Sequence, residues 1–135
     1  MTTAEYVPGL DPTWTPALFA RPVVTGLLRD RLGFSGVIVT DTLDMGVIVG
    51  RYSLPEAAVA AVAAGNDLLL LGSGNSGSEQ TAIVAIRDAV AAGVIPAAQV
   101  QESAVRSVAL RSRWPDPRFA PTGAVAWPVR PLNKV

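Results

Sequence analysis

Two runs of consecutive apolar residues, Val37–Thr40 and Asp67–Leu71, predict strands that are buried on both faces. The first run is rich in β-branched residues, and the second is four leucines preceded by an aspartate. Neither run alternates with polar residues, which is typical of strands in a parallel sheet that helices cover on both sides. The segment Met1–Tyr6 is a shorter candidate strand, and the turn-rich stretch Val7–Pro16 follows it.

Apolar residues at helical spacing predict four helices between and after these strands. The helices are expected at Arg21–Leu32, Pro55–Ala64, Ser78–Ala92 and Ala97–Arg113. The second of them begins with a capping box, Ser53-Leu54-Pro55-Glu56, and glycines that can end a helix follow three of them, at Gly33, Gly65 and Gly93. The resulting alternation of strands and helices is typical of βαβ units and a parallel sheet.

Three parallel strands would form a small sheet with unpaired backbone groups along both edges. A closed (β/α)8 barrel typically requires about 250 residues, whereas the chain has 135. We therefore predict an α/β fold that is a partial (β/α)8 TIM barrel. Residues 1–113 form the barrel part in this prediction, and residues 114–135 form a Pro-rich, loosely ordered tail.

The composition excludes several kinds of chemistry. Half of the residues are apolar, 11 basic residues balance 11 acidic ones, and the chain has neither histidine nor cysteine. The balanced charge creates no field that would attract nucleic acid or an anionic membrane surface. Without histidine and cysteine, the chain cannot build a zinc site on nitrogen or sulfur ligands, and its catalysis would have to use carboxylates, hydroxyls, Lys, Arg or Tyr.

The N-terminal sequence has no basic region followed by an apolar one, as a signal peptide would have. The most apolar stretch, Ala57–Leu71, is interrupted by Gly65, Asn66 and Asp67 and is shorter than the ~20 residues that cross a bilayer. We expect neither a signal peptide nor a transmembrane segment in this chain. A cytoplasmic location is the default expectation, although the sequence does not determine the compartment.

Asp41 directly follows the first predicted strand and has the most specific chemical context in the chain. In parallel α/β folds, functional side chains gather in the loops at the carboxyl ends of the strands. A carboxylate at such a position could act as a nucleophile. It could equally cap its loop or pair with an arginine, and the residues alone leave these alternatives open.

The stretch Leu27–Met45, LLRDRLGFSGVIVTDTLDM, closely resembles family 3 glycoside hydrolases. In that family, a helix ending in LLR and a Gly-Phe-x-Gly turn lead into a Val/Ile strand that ends in Ser/Thr-Asp, with Leu-x-Met soon after. Thr42 stands where the β-glucosidase branch usually has tryptophan, so the likeness is to the β-N-acetylglucosaminidase branch. The resemblance covers residues 1–113 and implies the last three strand-helix units of the barrel.

The resemblance implies that Asp41 is the catalytic nucleophile of a β-N-acetylhexosaminidase-like enzyme. It would form a glycosyl-enzyme intermediate and release the sugar with retained configuration. The resemblance also implies that Met45 lines the sugar subsite, that the substrate is a β-linked N-acetylglucosamine or a related glycoside, and that neither a metal nor an organic cofactor is needed.

Two departures from the family pattern limit this activity. The family branch takes its general acid/base from an Asp–His pair and much of its sugar recognition from a Lys-His-Phe-Pro-Gly-His-Gly stretch, and the chain has no histidine. We therefore expect a truncated or incomplete chain that is inactive alone. Its expected partners are the carbohydrate substrate and either a complementary barrel half or a second copy of itself, with neither nucleic acid nor membrane among them.

Two other functions stay open. The chain could be a non-catalytic remnant or interaction module that pairs through its open sheet edges. The loop Gly72–Gly77 matches G-x-G-x-x-G and could hold a phosphate, but no strand ending in an acid follows about 20 residues later, as a dinucleotide site requires.

Packing is the simplest role for four aromatic residues, Trp14, Tyr52, Trp114 and Trp127. Three arginines at the end of the last predicted helix are expected to be solvated: Arg106, Arg111 and Arg113.

Overall fold

The sheet consists of two short parallel strands, β1 (Val39–Thr42) and β2 (Leu68–Leu70). They were identified in a computed structural model that describes residues 1–72 and 77–113. Val39 lies opposite Leu68 and Thr42 opposite Leu70, so β1 has one residue more than β2 over the same length. The extra residue makes a bulge, which bends a strand and changes the aim of its side chains. The predicted parallel pairing is confirmed.

The N-terminal segment lies beside β1 on the edge away from β2. The Thr2 N–H donates to the Val39 carbonyl, and the Asp41 N–H donates to the Thr2 carbonyl, both at 2.8 Å. Thr2 thus forms a single parallel bridge with Thr40, and Tyr6 forms an antiparallel bridge with Pro16. The third predicted strand has the expected place and direction, but it is reduced to this one bridge.

The first strand begins two residues later than its apolar run. The Ile38 carbonyl accepts the N–H groups of Asp67 and Leu68, at 2.8 and 3.1 Å, while the Ile38 N–H donates to the Asp67 carboxylate at 2.7 Å. At the N-terminal end of β1, the Asp67 carboxylate therefore accepts a backbone hydrogen bond that a neighbouring strand would otherwise accept. The strand also ends two residues later, at Thr42, so Asp41 lies within it instead of directly after it, which corrects the prediction.

Four α-helices follow β1 within the described residues. They are α1 (Gly46–Val49), α2 (Leu54–Ala64), α3 (Ser78–Ala91) and α4 (Ala97–Ser112). The capping box at α2 is confirmed, because the Ser53 hydroxyl accepts from the Glu56 N–H and the Glu56 carboxylate accepts from the Ser53 N–H at 2.8 Å. The Ser53 hydroxyl also donates to the Glu56 carboxylate at 2.7 Å, and this bond, together with the one from the Ser53 N–H, lowers the pKa of Glu56. Among these α-helices, the prediction missed α1, which is a single turn.

The helix predicted at Arg21–Leu32 is present as a π-helix, Pro22–Arg31, preceded by a 3₁₀ turn at Ala17–Phe19. Its last turn has the wide spacing of a π-helix, with the Leu32 N–H donating to the Leu27 carbonyl at 3.0 Å. The Thr25 hydroxyl donates to the Ala64 carbonyl at 2.7 Å and so fastens this helix to the end of α2.

Gly65 is needed at this junction for two reasons. Its φ of 112° lies in the left-handed region that glycine adopts readily. In addition, a Cβ on Gly65 would lie 2.5 Å from the Thr25 hydroxyl oxygen. The glycine therefore ends α2 and also allows the π-helix to approach it closely.

The main core lies between one face of the sheet and helices α2 and α3. Its fully buried members are large side chains from the short segments around β1 and small side chains from α2: Leu18, Leu43, Ile48, Ala57, Ala58 and Ala61. Alanines on α2 let the neighbouring backbones approach closely. A smaller cluster of Val24, Ile38 and Ala64 fills the space beside the π-helix. No helix in the described part of the chain is both long and apolar enough to cross a bilayer.

The other face of the sheet is open, which corrects the expectation of strands buried on both sides. Leu69 packs against the main core, whereas Leu68 and Leu70 are 41% and 44% exposed. Side chains alternate between the two faces of a strand, and the described helices cover only one of them. The run of four leucines therefore leaves an uncovered apolar surface, which we call the open face and define by Val39, Leu68 and Leu70.

The carboxylate of Asp67 accepts hydrogen bonds from four different residues among those that the structure describes. It is fully buried and accepts hydrogen bonds from the Ile38 N–H, from the Ser103 hydroxyl at 2.7 Å and from the guanidinium groups of Arg29 and Arg106. Arg106, expected to be solvated, is thus paired. Burial acts to raise the pKa of Asp67, but the hydrogen bonds and the charge of Arg29 outweigh it and lower the pKa.

Replacing Asp67 by asparagine should destabilise the fold by about 3 kcal/mol at pH 7, because it leaves the largely buried guanidinium of Arg29 without a counter-charge and leaves Arg106 only its longer pair with Glu102, at 3.5 Å. The lowered pKa means that Asp67 contributes this stability above the pKa of an unfolded aspartate, near 4, and loses it as the pH falls through the folded value. Urea unfolding at pH 7 and pH 3 measures both effects. The free energy of unfolding of Asp67→Asn should therefore fall less between pH 7 and pH 3 than that of the wild type.

Asp88→Asn is the matched control, since Asp88 pairs with Arg87 on the surface with 61% of its side chain exposed. Exposed pairs contribute little, so this variant should unfold within about 0.5 kcal/mol of the wild type. Equal losses in the two variants would refute the role assigned to Asp67.

Candidate active site

Asp41 is the third residue of β1 and is half-buried. Its N–H is bonded to the Thr2 carbonyl, and its carboxylate accepts the Thr42 N–H at 2.8 Å. The preceding residue, Thr40, is completely buried on the helix side, where its hydroxyl accepts the Leu70 N–H at 3.1 Å across the bulge. A rigid strand with ladder partners on both sides therefore holds the Asp41 carboxylate at the carboxyl end of the sheet.

The alternative roles of Asp41 can be compared with this geometry. Ion pairs of the described arginines go to Asp67, Asp88 and Glu102, not to Asp41. The only local bond of its carboxylate that the structure shows is the one from Thr42, one residue away. This bond orients the carboxylate and leaves its second oxygen for other chemistry.

Asp44 joins the chain segments that leave the two strands. Its carboxylate accepts the Gly72 N–H at 3.1 Å and the Thr42 hydroxyl, and the Leu43 N–H donates to the Leu70 carbonyl at 2.9 Å. A Cβ on Gly72 would lie 2.9 Å from the Thr42 hydroxyl oxygen, so this contact requires a glycine. Asp44 thus holds the carboxyl ends of β1 and β2 together beside Asp41.

Met45 lies at the start of α1, where its carbonyl accepts the N–H groups of Ile48 and Val49 at 2.8 and 2.9 Å. Its side chain is half-buried and packs against the main core. A role in lining a sugar subsite stays a prediction.

The turn-rich stretch Val7–Pro16 follows the N-terminal bridge and lies at the same end of the sheet as Asp41. The Asp11 carboxylate accepts the N–H of Thr13 at 2.9 Å as well as the Thr13 hydroxyl, and these bonds lower its pKa.

The Tyr52 ring packs edge to face against the Phe19 ring, with the ring centroids 5.0 Å apart, which confirms its packing role. Trp14, in contrast, is 62% exposed.

Two predicted features lie partly or wholly outside the described residues. Residues 73–76 of the glycine loop and the tail 114–135, with Trp114 and Trp127, belong to this group. For the described ends of the loop, the Gly72 N–H is already bonded to Asp44, and Glu79 places negative charge in the first turn of α3. Both features disfavour a phosphate. Across residues 1–72 and 77–113, no three acidic side chains gather as a metal site would require.

The Asp41 carboxylate is half-buried and held by a hydrogen bond from Thr42, and its role as a nucleophile stays a prediction. The chain has no histidine to protonate a leaving group. The sequence did not show that Asp44 and Asp67 hold the strands on which Asp41 lies, since the Gly72 partner of Asp44 is 28 residues away and the partners of Asp67 are 29 to 39 residues away along the chain.

Comparison with known proteins gives the family. The model for the glycosyl hydrolase family 3 N-terminal domain matches residues 1–110. The chain is 34% identical over 113 residues to an uncharacterized secreted glycosyl hydrolase of Arthroderma benhamiae. The aligned residues cover 84% of this chain and 32% of that protein. The chain is 45% identical over 56 residues to a beta-hexosaminidase of Chromobacterium violaceum, which covers 42% of this chain and 16% of that protein.

The solved structures agree with the fold. A family 3 beta-N-acetylglucosaminidase from Paenibacillus sp. str. FPU-7 superposes with a TM-score of 0.74 at 39% identity, covering 78% of this chain and 20% of that one. The chain thus spans at most 32% of the length of these relatives. The predicted resemblance and fold class are confirmed: the chain belongs to glycoside hydrolase family 3 and folds as part of the TIM-barrel domain of that family.

Proposed function

We propose that this chain contributes the nucleophile to a retaining glycoside hydrolase site for terminal β-linked N-acetylglucosamine. The observation that carries the proposal is the Asp41 carboxylate, held half-buried at the carboxyl end of β1 without an arginine partner among the described residues. The family of the chain supplies the reaction class, and its relatives named as beta-hexosaminidases support the sugar.

In this reaction, an Asp41 oxygen forms a bond to the anomeric carbon as the bond from that carbon to the leaving oxygen breaks. Water then attacks the same carbon, which releases the sugar and restores the carboxylate. Two inversions give net retention of configuration. The Thr42 N–H, which already donates to this carboxylate, keeps one oxygen engaged and so orients the other.

Protonation of the leaving oxygen must come from a group other than a histidine of this chain, because it has none. Positioned acid catalysis typically contributes 10²- to 10⁴-fold. A leaving group that departs readily as an anion does not need that proton. Activated substrates therefore isolate the contribution of Asp41 from that of the missing acid.

A fluorinated N-acetylglucosamine derivative with a dinitrophenolate leaving group should label Asp41, since the fluorine slows release of the glycosyl-enzyme. The full 135-residue chain is incubated with the reagent, alone and with the complementary barrel segment of a family 3 relative, and then digested for peptide mass spectrometry. The label should lie on the peptide containing Asp41 in the mixture with the complementary segment, whether or not the chain alone is also labelled. Asp41→Asn should remove it, and Asp88→Asn should leave it unchanged. Absence of label in both mixtures, or label at another carboxylate, would show that Asp41 is not the nucleophile.

We further propose that a second polypeptide covers the open face. Leu68 and Leu70 are each more than two fifths exposed there, although both lie in a strand of the sheet. Apolar side chains grouped in this way usually mark an interaction surface. The occupant is either a complementary barrel segment or a second copy of the chain, and the non-catalytic interaction module would use the same surface.

Leu70→Lys should reduce self-association of the purified chain, because a charge on the open face opposes its burial. Light scattering after size exclusion measures the mass. The wild type should elute as a dimer or larger species, and Leu70→Lys should shift toward the monomer without loss of helical circular dichroism. Ile83→Lys, at a position 58% exposed on α3, is the matched control and should behave as the wild type. A monomeric wild type would remove the support for self-association.

A further inference from the structure

Trp14 combines two features that packing does not explain. Its side chain is 62% exposed, and its backbone φ is 56°, in the left-handed region. A non-glycine residue in this region costs free energy, of the order of 1 kcal/mol, and an exposed indole gains nothing from burial. Within the described residues, Trp14 is the only residue other than glycine with positive φ. Such outliers persist where the surrounding structure enforces them.

The loop around Trp14 is built to hold it in this conformation. The buried Asp11 side chain accepts two hydrogen bonds from Thr13, one from the N–H at 2.9 Å and one from the hydroxyl. The hydroxyls of Thr13 and Thr15 are themselves bonded at 2.7 Å, on either side of Trp14. Both neighbours of the tryptophan are therefore fixed by side-chain hydrogen bonds.

A second aromatic ring supports the indole from the adjacent bridge. The ring centroids of Tyr6 and Trp14 are 5.9 Å apart with the planes tilted by 55°. The Arg51 guanidinium donates to the Tyr6 hydroxyl at 3.0 Å. Arg51 lies between α1 and α2, so this contact connects the ring that supports the indole to the chain that follows β1.

We propose that Trp14 is a stacking surface for a second sugar ring of a β-linked oligosaccharide, next to the ring that Asp41 attacks. The apolar C–H face of a pyranose packs on an exposed indole, and tryptophan supplies a large rigid surface with few rotamers to order. The inference rests on the proposed function, because it takes the substrate to be a glycan.

The distance along the chain assigns Trp14 to a second ring. The Asp41 N–H donates to the carbonyl of Thr2, and Tyr6 lies four residues further along the same segment. An extended chain rises about 3.3 Å per residue, so the Tyr6–Trp14 pair lies beyond Asp41 along the direction of β1, by at most about 13 Å. On this offset we assign Trp14 to the neighbouring ring of the oligosaccharide and not to the ring that Asp41 attacks.

The test is a titration of the full chain, labelled with ¹⁵N, with N,N′,N″-triacetylchitotriose and with N-acetylglucosamine. The indole N–H resonance of Trp14 is identified by its absence in Trp14→Phe. It should shift with the trisaccharide and remain in place with the monosaccharide. Calorimetry should show affinity for the trisaccharide about tenfold lower in Trp14→Ala, as expected for the loss of one aromatic contact. Trp14→Phe should retain part of that affinity.

Folding of the variants is checked by thermal unfolding. Trp14→Gly should melt at the same temperature as the wild type or higher, because glycine relieves the positive φ, while it loses trisaccharide binding. Equal trisaccharide affinity in the wild type and Trp14→Ala would overturn the inference, as would a Trp14 resonance that stays fixed throughout the titration.

Failure of the two proposals can be told apart by comparing the labelling of Asp41 with the effect of Trp14→Ala on trisaccharide binding. Trisaccharide binding that depends on Trp14, together with an unlabelled Asp41, would reject the nucleophile and keep the stacking surface. Labelled Asp41 with no dependence on Trp14 would do the reverse.

Discussion

A single buried carboxylate determines how the two strands meet. Asp67 accepts hydrogen bonds from the backbone before β1, from the π-helix through Arg29 and from α4 through Ser103 and Arg106. A buried charge is tolerable only when it is paired and hydrogen-bonded, so these partners must assemble together. The bond from Ile38 then fixes where β1 begins, and the position of Asp41 three residues later follows from it.

The opposite end of the strands is held by a second carboxylate. Asp44 accepts bonds from Gly72 and Thr42, which lie beyond β2 and at the end of β1. Between the two ends, the Thr40 hydroxyl takes the place of a backbone acceptor at the bulge. Polar contacts at the N-terminal end of β1, at its bulge and at its C-terminal end therefore position Asp41, although one face of the sheet is open. A site built in this way depends on backbone geometry more than on the packing of its surroundings.

Local signals in the sequence predicted the helices well. The capping box at Ser53 and the glycines at 33, 65 and 93 act within a few residues, so they can be recognised without the fold. The Asp41 position was also predictable, since the run before it and the motif around it are contiguous. The role of Asp67 was not, because its partners are 29 to 39 residues away along the chain. The same reason explains Arg106, which appears solvent-facing in a helical pattern but is paired with a distant aspartate.

The prediction that β2 is buried on both faces was wrong for a different reason. A run of leucines indicates that both faces can be buried, whereas actual burial depends on which layers are present, and the described helices cover one face only. Exposure also distinguishes Trp14 from Tyr52, although both are aromatic residues in loops. The contact of Tyr52 with Phe19 and the positive φ of Trp14 are properties of the folded chain.

Native-state hydrogen exchange in Asp67→Asn tests most directly whether this carboxylate sets the position of Asp41. The amides of Ile38, Asp41 and Leu43 report on the N-terminal end, the middle and the C-terminal end of β1, since they donate to Asp67, Thr2 and Leu70 respectively. The account predicts that all three lose protection by a similar factor, as one cooperative unit. Loss confined to Ile38, with Asp41 and Leu43 protected as in the wild type, would contradict it.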